Sequence, residues 1–231
     1  MNIWNLTAVK IGIMFSQWKV FITGANGSLG TELVNVFKKN NIITNGHFHK
    51  QQDVKNSDNV FGDISSKEVQ NQIEQRFIST DSNVLINNVG LYLHKPILEV
   101  SDDEIINLIN VNLIATMLIT KNLLNYLVSK NGGMIYNINS VAGLNGSKHE
   151  SIYCASKFGL KGFTDSLIKE FDSQKNIRIV NVTLGAFKSK MTKQRNNYTE
   201  LAEPNEVAHK IYSHIMEDYK TINTDISIYR K

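Results

Sequence analysis

Short apolar runs alternate along this chain with longer stretches of helical periodicity, and that alternation limits the fold more than any single motif. The runs are Lys19–Thr23, Ile42–Phe48, Asn59–Phe61, Val84–Asn87, Met134–Ile138, Ile177–Thr183 and Ile226–Tyr229. Most are almost uninterrupted in apolar character, which suits strands covered on both faces in a parallel sheet. Helical patterns occupy about 29–39, 66–78, 102–129, 151–173 and 205–217. Parallel strands need crossovers of this length, and such crossovers are right-handed. The order therefore predicts an α/β fold: one doubly wound parallel sheet flanked by helices in a single domain.

The bulk numbers agree with one ordinary domain. At 231 residues, 42% hydrophobic and 20% charged, the chain has enough apolar material for a buried core. Its net charge of +4 comes from 25 basic residues scattered among 21 acidic ones, with no basic run, so no nucleic-acid partner is expected. A single cysteine, Cys154, excludes an internal disulfide and points to a reducing compartment. No uninterrupted apolar stretch approaches the ~20 residues a bilayer crossing needs. Residues 1–16 mix apolar and polar side chains without signal-peptide order, so they read as an N-terminal arm before a 17–231 domain in the cytoplasm, with no membrane partner. The histidines show no metal-ligand spacing, and no metal is expected.

The 102–129 pattern opens with Ser101 as a cap and three acidic residues, Asp102, Asp103 and Glu104, where the helix dipole favours them. Beyond it, Ile105, Ile106, Ile109, Leu113, Ile114 and Leu118 cover more than one face. Either this helix is deeply buried in the monomer or it meets another subunit.

Directly after Val20-Phe21-Ile22 comes T-G-A-N-G-S-L-G, residues 23–30, and then Leu33, Val34 and Phe37 at helical spacing. Glycines at 24, 27 and 30 therefore sit at a strand-to-helix turn. Glycine permits positive φ and leaves no Cβ in the path of a ligand. The helix that follows offers unpaired N–H groups and a positive dipole end to a phosphate. Gly24, Asn26, Gly27, Ser28 and Leu29 would line such a cradle, and Gly30 would let the helix pack closely on the strand. Further on, Asp63 and Ile64 end the third strand, with a carboxylate able to accept from an adenine amino group. Asn88, Val89 and Gly90 close the fourth strand beside the same crevice. Ser140 follows the fifth, and Tyr153 and Lys157 lie four apart on one helix face.

Taken in this order, the glycine turn, N-N-V-G, Asn112 in I-N-V-N-L, Ser140 and Y-C-A-S-K resemble the short-chain dehydrogenase/reductase family from about residue 17 to the C-terminus. The resemblance implies a Rossmann-type fold and hydride transfer between NAD(P) and a carbonyl or secondary alcohol on a small molecule. It implies Tyr153 as general acid/base, with Lys157 favouring phenolate and binding the nicotinamide ribose. It implies Ser140 as the hydroxyl on the substrate oxygen and Asn112 as the residue whose carbonyl holds a relay water. Gly185, Phe187 and Ser189, in L-G-A-F-K-S, fall on the family's P-G-x-x-x-T loop at the nicotinamide, although Leu184 replaces the proline. A substrate lid is expected near 188–204, polar and carrying Lys190, Lys193 and Arg195. A homodimer or homotetramer is implied, through helices 102–129 and 151–173.

Two departures keep other readings open. The single-domain reductases usually carry T-G-x-x-x-G-x-G, whereas Ser28 stands where that motif has its middle glycine and Gly27 precedes it. That variant resembles the extended branch, which includes nucleotide-sugar epimerases and reductases, yet only about 40 residues follow Ser189. A non-catalytic NADP-binding redox sensor is the third reading, opposed by the filled Asn-Ser-Tyr-Lys set. Cofactor choice is expected to rest on N-G-H-F-H-K. A carboxylate at the strand end would bond the ribose of NAD and repel a 2′-phosphate. Phe48 takes that place, followed by His49 and Lys50, which favours NADP over NAD.

Overall fold

The computed structural model describes residues 18–50, 58–130, 132–174, 176–217 and 224–229; the expected arm over 1–16 lies outside them. In chain order the elements are β1 (Lys19–Ile22), α1 (Ser28–Lys39), β2 (Ile43–Phe48), β3 (Val60–Phe61), α2 (Lys67–Ser79) and β4 (Val84–Asn87). Then come α3 (Asp102–Ile109), a π-helical turn (Asn110–Ile114), α4 (Ala115–Ser129), β5 (Gly133–Ser140), α5 (Ser151–Glu170), β6 (Ile177–Leu184), α6 (Pro204–Ile215) and β7 (Asp225–Ile228). The seven strands form one sheet in the order β3-β2-β1-β4-β5-β6-β7, with every pairing parallel.

Strand alternation sorts the core into two layers. Val20, Ile22, Ile86 and Tyr136 pack with Leu33, Phe37 and Ile211 from α1 and α6. Phe21, Leu85, Ile135 and Ile179 face the other way, onto Ile73 and Phe77 of α2 and Leu123 and Leu127 of α4. Because both sheet faces are covered, the strands read as continuous apolar runs. The expected class, a single-domain doubly wound sheet, is the observed one.

The 102–129 segment differs from a plain helix. Ser101 accepts from Glu104 N while the Glu104 carboxylate accepts from Ser101 N, closing a capping box on α3. The π turn then follows, where Ala115 N–H reaches back to the Asn110 carbonyl. A segment apolar on most sides conceals that extra residue, because periodicity carries no phase to break. Ile106, at 57% exposure, Ile114 and Leu118 stay exposed, so the monomer does not bury this face. Taken as one run, Asp102–Ser129 has a window of mean hydropathy 1.3, long and apolar enough to cross a membrane. Counting uninterrupted apolar runs missed that. Half of the window is buried within the protein, as in the core helix of a globular fold.

Candidate active site

A cavity of about 640 Å³ opens along the carboxyl ends of the strands, where β1 and β4 part company in the chain order. Of the catalytic and cofactor-binding candidates read from the sequence, all line it except Gly30 and Asn112; His49, Lys190 and Arg195 line it as well, whereas Phe48, Lys50 and Lys193 do not.

At one end the walls are main chain. Gly24 has φ +65°, and a Cβ there would meet Val89 Cα at 3.0 Å. Asn88 staples this turn to β4: its Nδ2 donates to the Thr23 and Gly24 carbonyls at 3.1 and 3.0 Å. The N–H groups of Asn88 and Val89 both donate to Thr23 Oγ1. Gly30 lies beneath the surface, where a Cβ would sit 2.2 Å from the Gly24 carbonyl oxygen. It makes room for the turn rather than touching a ligand. α1 starts at Gly27 with no side-chain cap and no acidic residue in its first turn, whereas α2 is capped by Ser66 and α3 by Ser101. Its opening N–H groups and dipole are thus left for an anion from the cavity. A dinucleotide pyrophosphate fits this cradle.

At the end of β2 the outcome differs from expectation. Phe48 belongs to the parity that packs under α1; it is buried and stacks on Phe61 at 5.6 Å between ring centroids. The cavity is lined instead by His47 and His49. His47 is almost fully buried, with Nε2 donating to the Gly62 carbonyl at 2.9 Å. Burial holds its pKa below the usual imidazole value, so the ring is neutral and its buried Nδ1 is a bare acceptor. Asp63 accepts from Ser65 N and Oγ through Oδ1, and the Ser65 N–H holds its carboxyl below the ordinary range.

The acid/base candidates meet at the middle of the cavity. Ser140 ends β5, with Oγ accepting from Ala142 N at 3.1 Å. Tyr153 and Lys157 project from successive turns of α5. Burial pushes the Tyr153 phenol up, a hydrogen bond from Ser140 pulls it back, Glu150 raises it and Arg195 lowers it. Lys157 Nζ donates to the Ile138 carbonyl at 3.0 Å and lies 6.0 Å from the Tyr153 ring centroid. Burial lowers this amine to about 8. Two groups act to lower the phenol in this geometry, the Ser140 hydroxyl by its hydrogen bond and the Arg195 guanidinium by its charge. Asn112 stands apart, in the π turn. Its Oδ1 accepts from Leu91 N at 2.7 Å, and its Nδ2 donates to the Leu91 carbonyl and Ser156 Oγ, tying the segment after β4 to α5.

The far wall adds three side chains with no place in the sequence motifs, Tyr92, Glu150 and Thr192, to Arg195 of the expected lid. Tyr92 donates to Glu150 Oε1 at 2.7 Å, and Arg195 approaches the same oxygen at 3.8 Å. The Tyr92 ring meets the Tyr153 ring edge-on, 5.1 Å between centroids. Thr192 closes the loop after β6: its Oγ1 donates to the Phe187 carbonyl at 2.6 Å and accepts from Ser189 N at 3.0 Å. A signal existed for Glu150, a carboxylate one helical turn before Tyr153. Tyr92, 58 positions from Glu150, had none.

The family model described as short chain dehydrogenase matches residues 18–200. Dehydrogenase/reductase SDR family member 7 of Mus musculus is 30% identical over 221 residues, covering 87% of this chain and 62% of its own length. The chain thus spans less than two thirds of that mouse protein. Among solved structures, a 4-hydroxyisoleucine dehydrogenase mutant complexed with NADH and succinate superposes with a TM-score of 0.81 at 22% identity, covering 91% of this chain and 96% of that one. ElxO with NADP bound gives 0.81 at 24% identity with the same coverages. At these identities the two structures bear on fold.

Proposed function

The chain belongs to the short-chain dehydrogenase family of NAD(P)-dependent oxidoreductases, and on that premise we propose that it interconverts a small-molecule carbonyl and its secondary alcohol with Tyr153 as proton donor and acceptor. The observation that carries this reading is the meeting of Ser140, Tyr153 and Lys157 in one cavity whose other end is the uncapped start of α1. The nicotinamide supplies or accepts the hydride when bound. Gly24, Gly27 and the first N–H groups of α1 would hold the pyrophosphate, and Asp63 the adenine amino group. Ser140 donates to the substrate oxygen as negative charge builds there, and Tyr153 transfers its phenolic proton to that oxygen. Lys157, buried and cationic at neutral pH, steadies the negative charge left on the phenol. Ser189 and Phe187 would border the nicotinamide end.

NADP is the favoured cofactor in this reading. Among the described residues of β2 and the turn after it, no carboxylate lines the cavity, whereas His49 does, with Lys50 next in the chain. The exposed Ile106, Ile114 and Leu118, with Phe158 of α5 at 46% exposure, support a second copy packing on this face.

Wild type and Tyr153→Phe assayed with NADPH against a panel of ketones, diketones and β-ketoacyl thioesters test the reaction. Turnover should fall by ~10²–10⁴ in the variant, with NADPH affinity kept. Equal turnover in the two proteins would sink the assignment, and NADPH binding with no turnover in either would favour a sensor.

A further inference from the structure

We propose that Glu150 is a specificity-determining residue that accepts a hydrogen bond from a hydroxyl or ammonium group on the substrate and turns away substrates bearing a carboxylate there. This rests on the reading of the cavity as a carbonyl-reducing site and names the class of substrate it takes.

Glu150 is 8% exposed and lines the cavity. It occupies the N-cap position of α5, yet its side chain makes no hydrogen bond to the helix N–H groups. Its partners come from elsewhere, and both approach one oxygen. Tyr92 donates to Oε1 at 2.7 Å, and Arg195 lies 3.8 Å from that same atom, beyond hydrogen-bond length. Arg195 offsets the charge without satisfying the carboxylate, and Oε2 has no hydrogen bond among the described residues. A buried carboxylate with an oxygen left over is stable while water reaches it and costly once a ligand drives the water out.

The position of that oxygen decides what the ligand must bring. Tyr92 stands edge-on to Tyr153 with ring centroids 5.1 Å apart, and its hydroxyl reaches Glu150. The carboxylate thus shares the cavity with the proton donor, joined to its ring through Tyr92. A substrate with its carbonyl at Ser140 and Tyr153 extends along this wall. A donor at its far end replaces the lost water; an alkyl group leaves Oε2 unpaired; a carboxylate sets two negative charges side by side in a poorly solvated site. Arg195, one of the basic residues expected on the lid, already faces Glu150. Lys190, which lines the same cavity, is the rival anion receptor.

Three flexible ketones of similar size separate these outcomes: 5-hydroxypentan-2-one, hexan-2-one and 4-oxopentanoate, each with NADPH. Wild type should prefer the hydroxyketone over hexan-2-one by about tenfold or more in kcat/KM, and over 4-oxopentanoate by more. Glu150→Gln, which keeps the shape and removes the charge, should reduce the hydroxyketone-to-oxopentanoate ratio at least ~10-fold. Tyr92→Phe keeps the carboxylate and should keep the preference, which guards against a loss caused by misfolding of the first variant. A wild type that favours 4-oxopentanoate, or a ratio unchanged in Glu150→Gln, overturns the proposal. If NADPH binds and no ketone is reduced, the reductase reading fails separately. The same three compounds are then compared as ligands of the NADPH complex by saturation-transfer NMR, and equal binding of all three overturns the role of Glu150.

Discussion

The two ends of the cavity are built from different material. At the α1 end the surface is main chain: a glycine at positive φ, an uncapped helix start, and carbonyls held by Asn88. At the 185–204 end side chains do the holding: Thr192 ties its own loop, Lys188 pairs with Glu203 and Arg195 reaches toward Glu150. Main-chain surface tolerates few residue types, so this end suits a ligand that never varies. Side-chain surface can be rewritten one residue at a time, and suits the partner that differs from one enzyme to the next.

The comparison breaks most visibly at Gly30. In Gly30→Ala the added methyl would press on the main chain of Gly24 and Ala25, which has no rotamer to yield. Overpacking of this kind costs ~1–3 kcal/mol or more in stability, and the displaced turn should lose saturable NADPH binding. Wild-type NADPH affinity in this variant would mean that the cradle is not fixed by backbone packing.

Lys157 gives the next largest effect. Its amine titrates near 8 when folded and at 10.5 in the unfolded chain. Below pH 8 both states hold the proton and the full cost of burying it is felt. Between pH 8 and 10.5 the unfolded chain holds the proton and the folded one does not, so stability rises with pH across that window. The rise should reach ~3 kcal/mol in urea unfolding of wild type and be absent in Lys157→Met. Parallel profiles would show that the amine is not buried as described.

His49→Glu sharpens the contrast by placing a carboxylate where the main-chain end meets the ribose. The NADPH-to-NADH affinity ratio, read by fluorescence titration, should fall about tenfold. NADH binding tenfold tighter than NADPH in wild type would refute the cofactor preference outright. Gly162→Ala is the smallest change. It lies on the exposed face of α5 with open space around a Cβ, and helix propensity should add ~0.8–1 kcal/mol.

Legibility in the sequence followed the same division. The glycine turn and the Tyr153–Lys157 pair were readable because backbone geometry and a four-residue helical step fix which atoms can face a ligand. The strands were readable because burial on both sheet faces leaves long apolar runs. The end of β2 was not: side chains switch faces at every residue, so a reading that lands on Phe48 instead of His47 or His49 picks the core rather than the cavity. The Tyr92–Glu150 contact was not readable either, since it exists only after β4 and α5 are brought together. The π turn was hidden for a third reason, an insertion among residues apolar on nearly every side.

The Asn88 staple has a consequence for how a ligand arrives. Because one amide and two N–H groups just past β4 fix the glycine turn through the protein's own hydrogen bonds, the cost of ordering it is met during folding rather than on binding. Association at that end should resemble a key entering a cut lock, with little change in amide exchange across residues 23–30 on saturation.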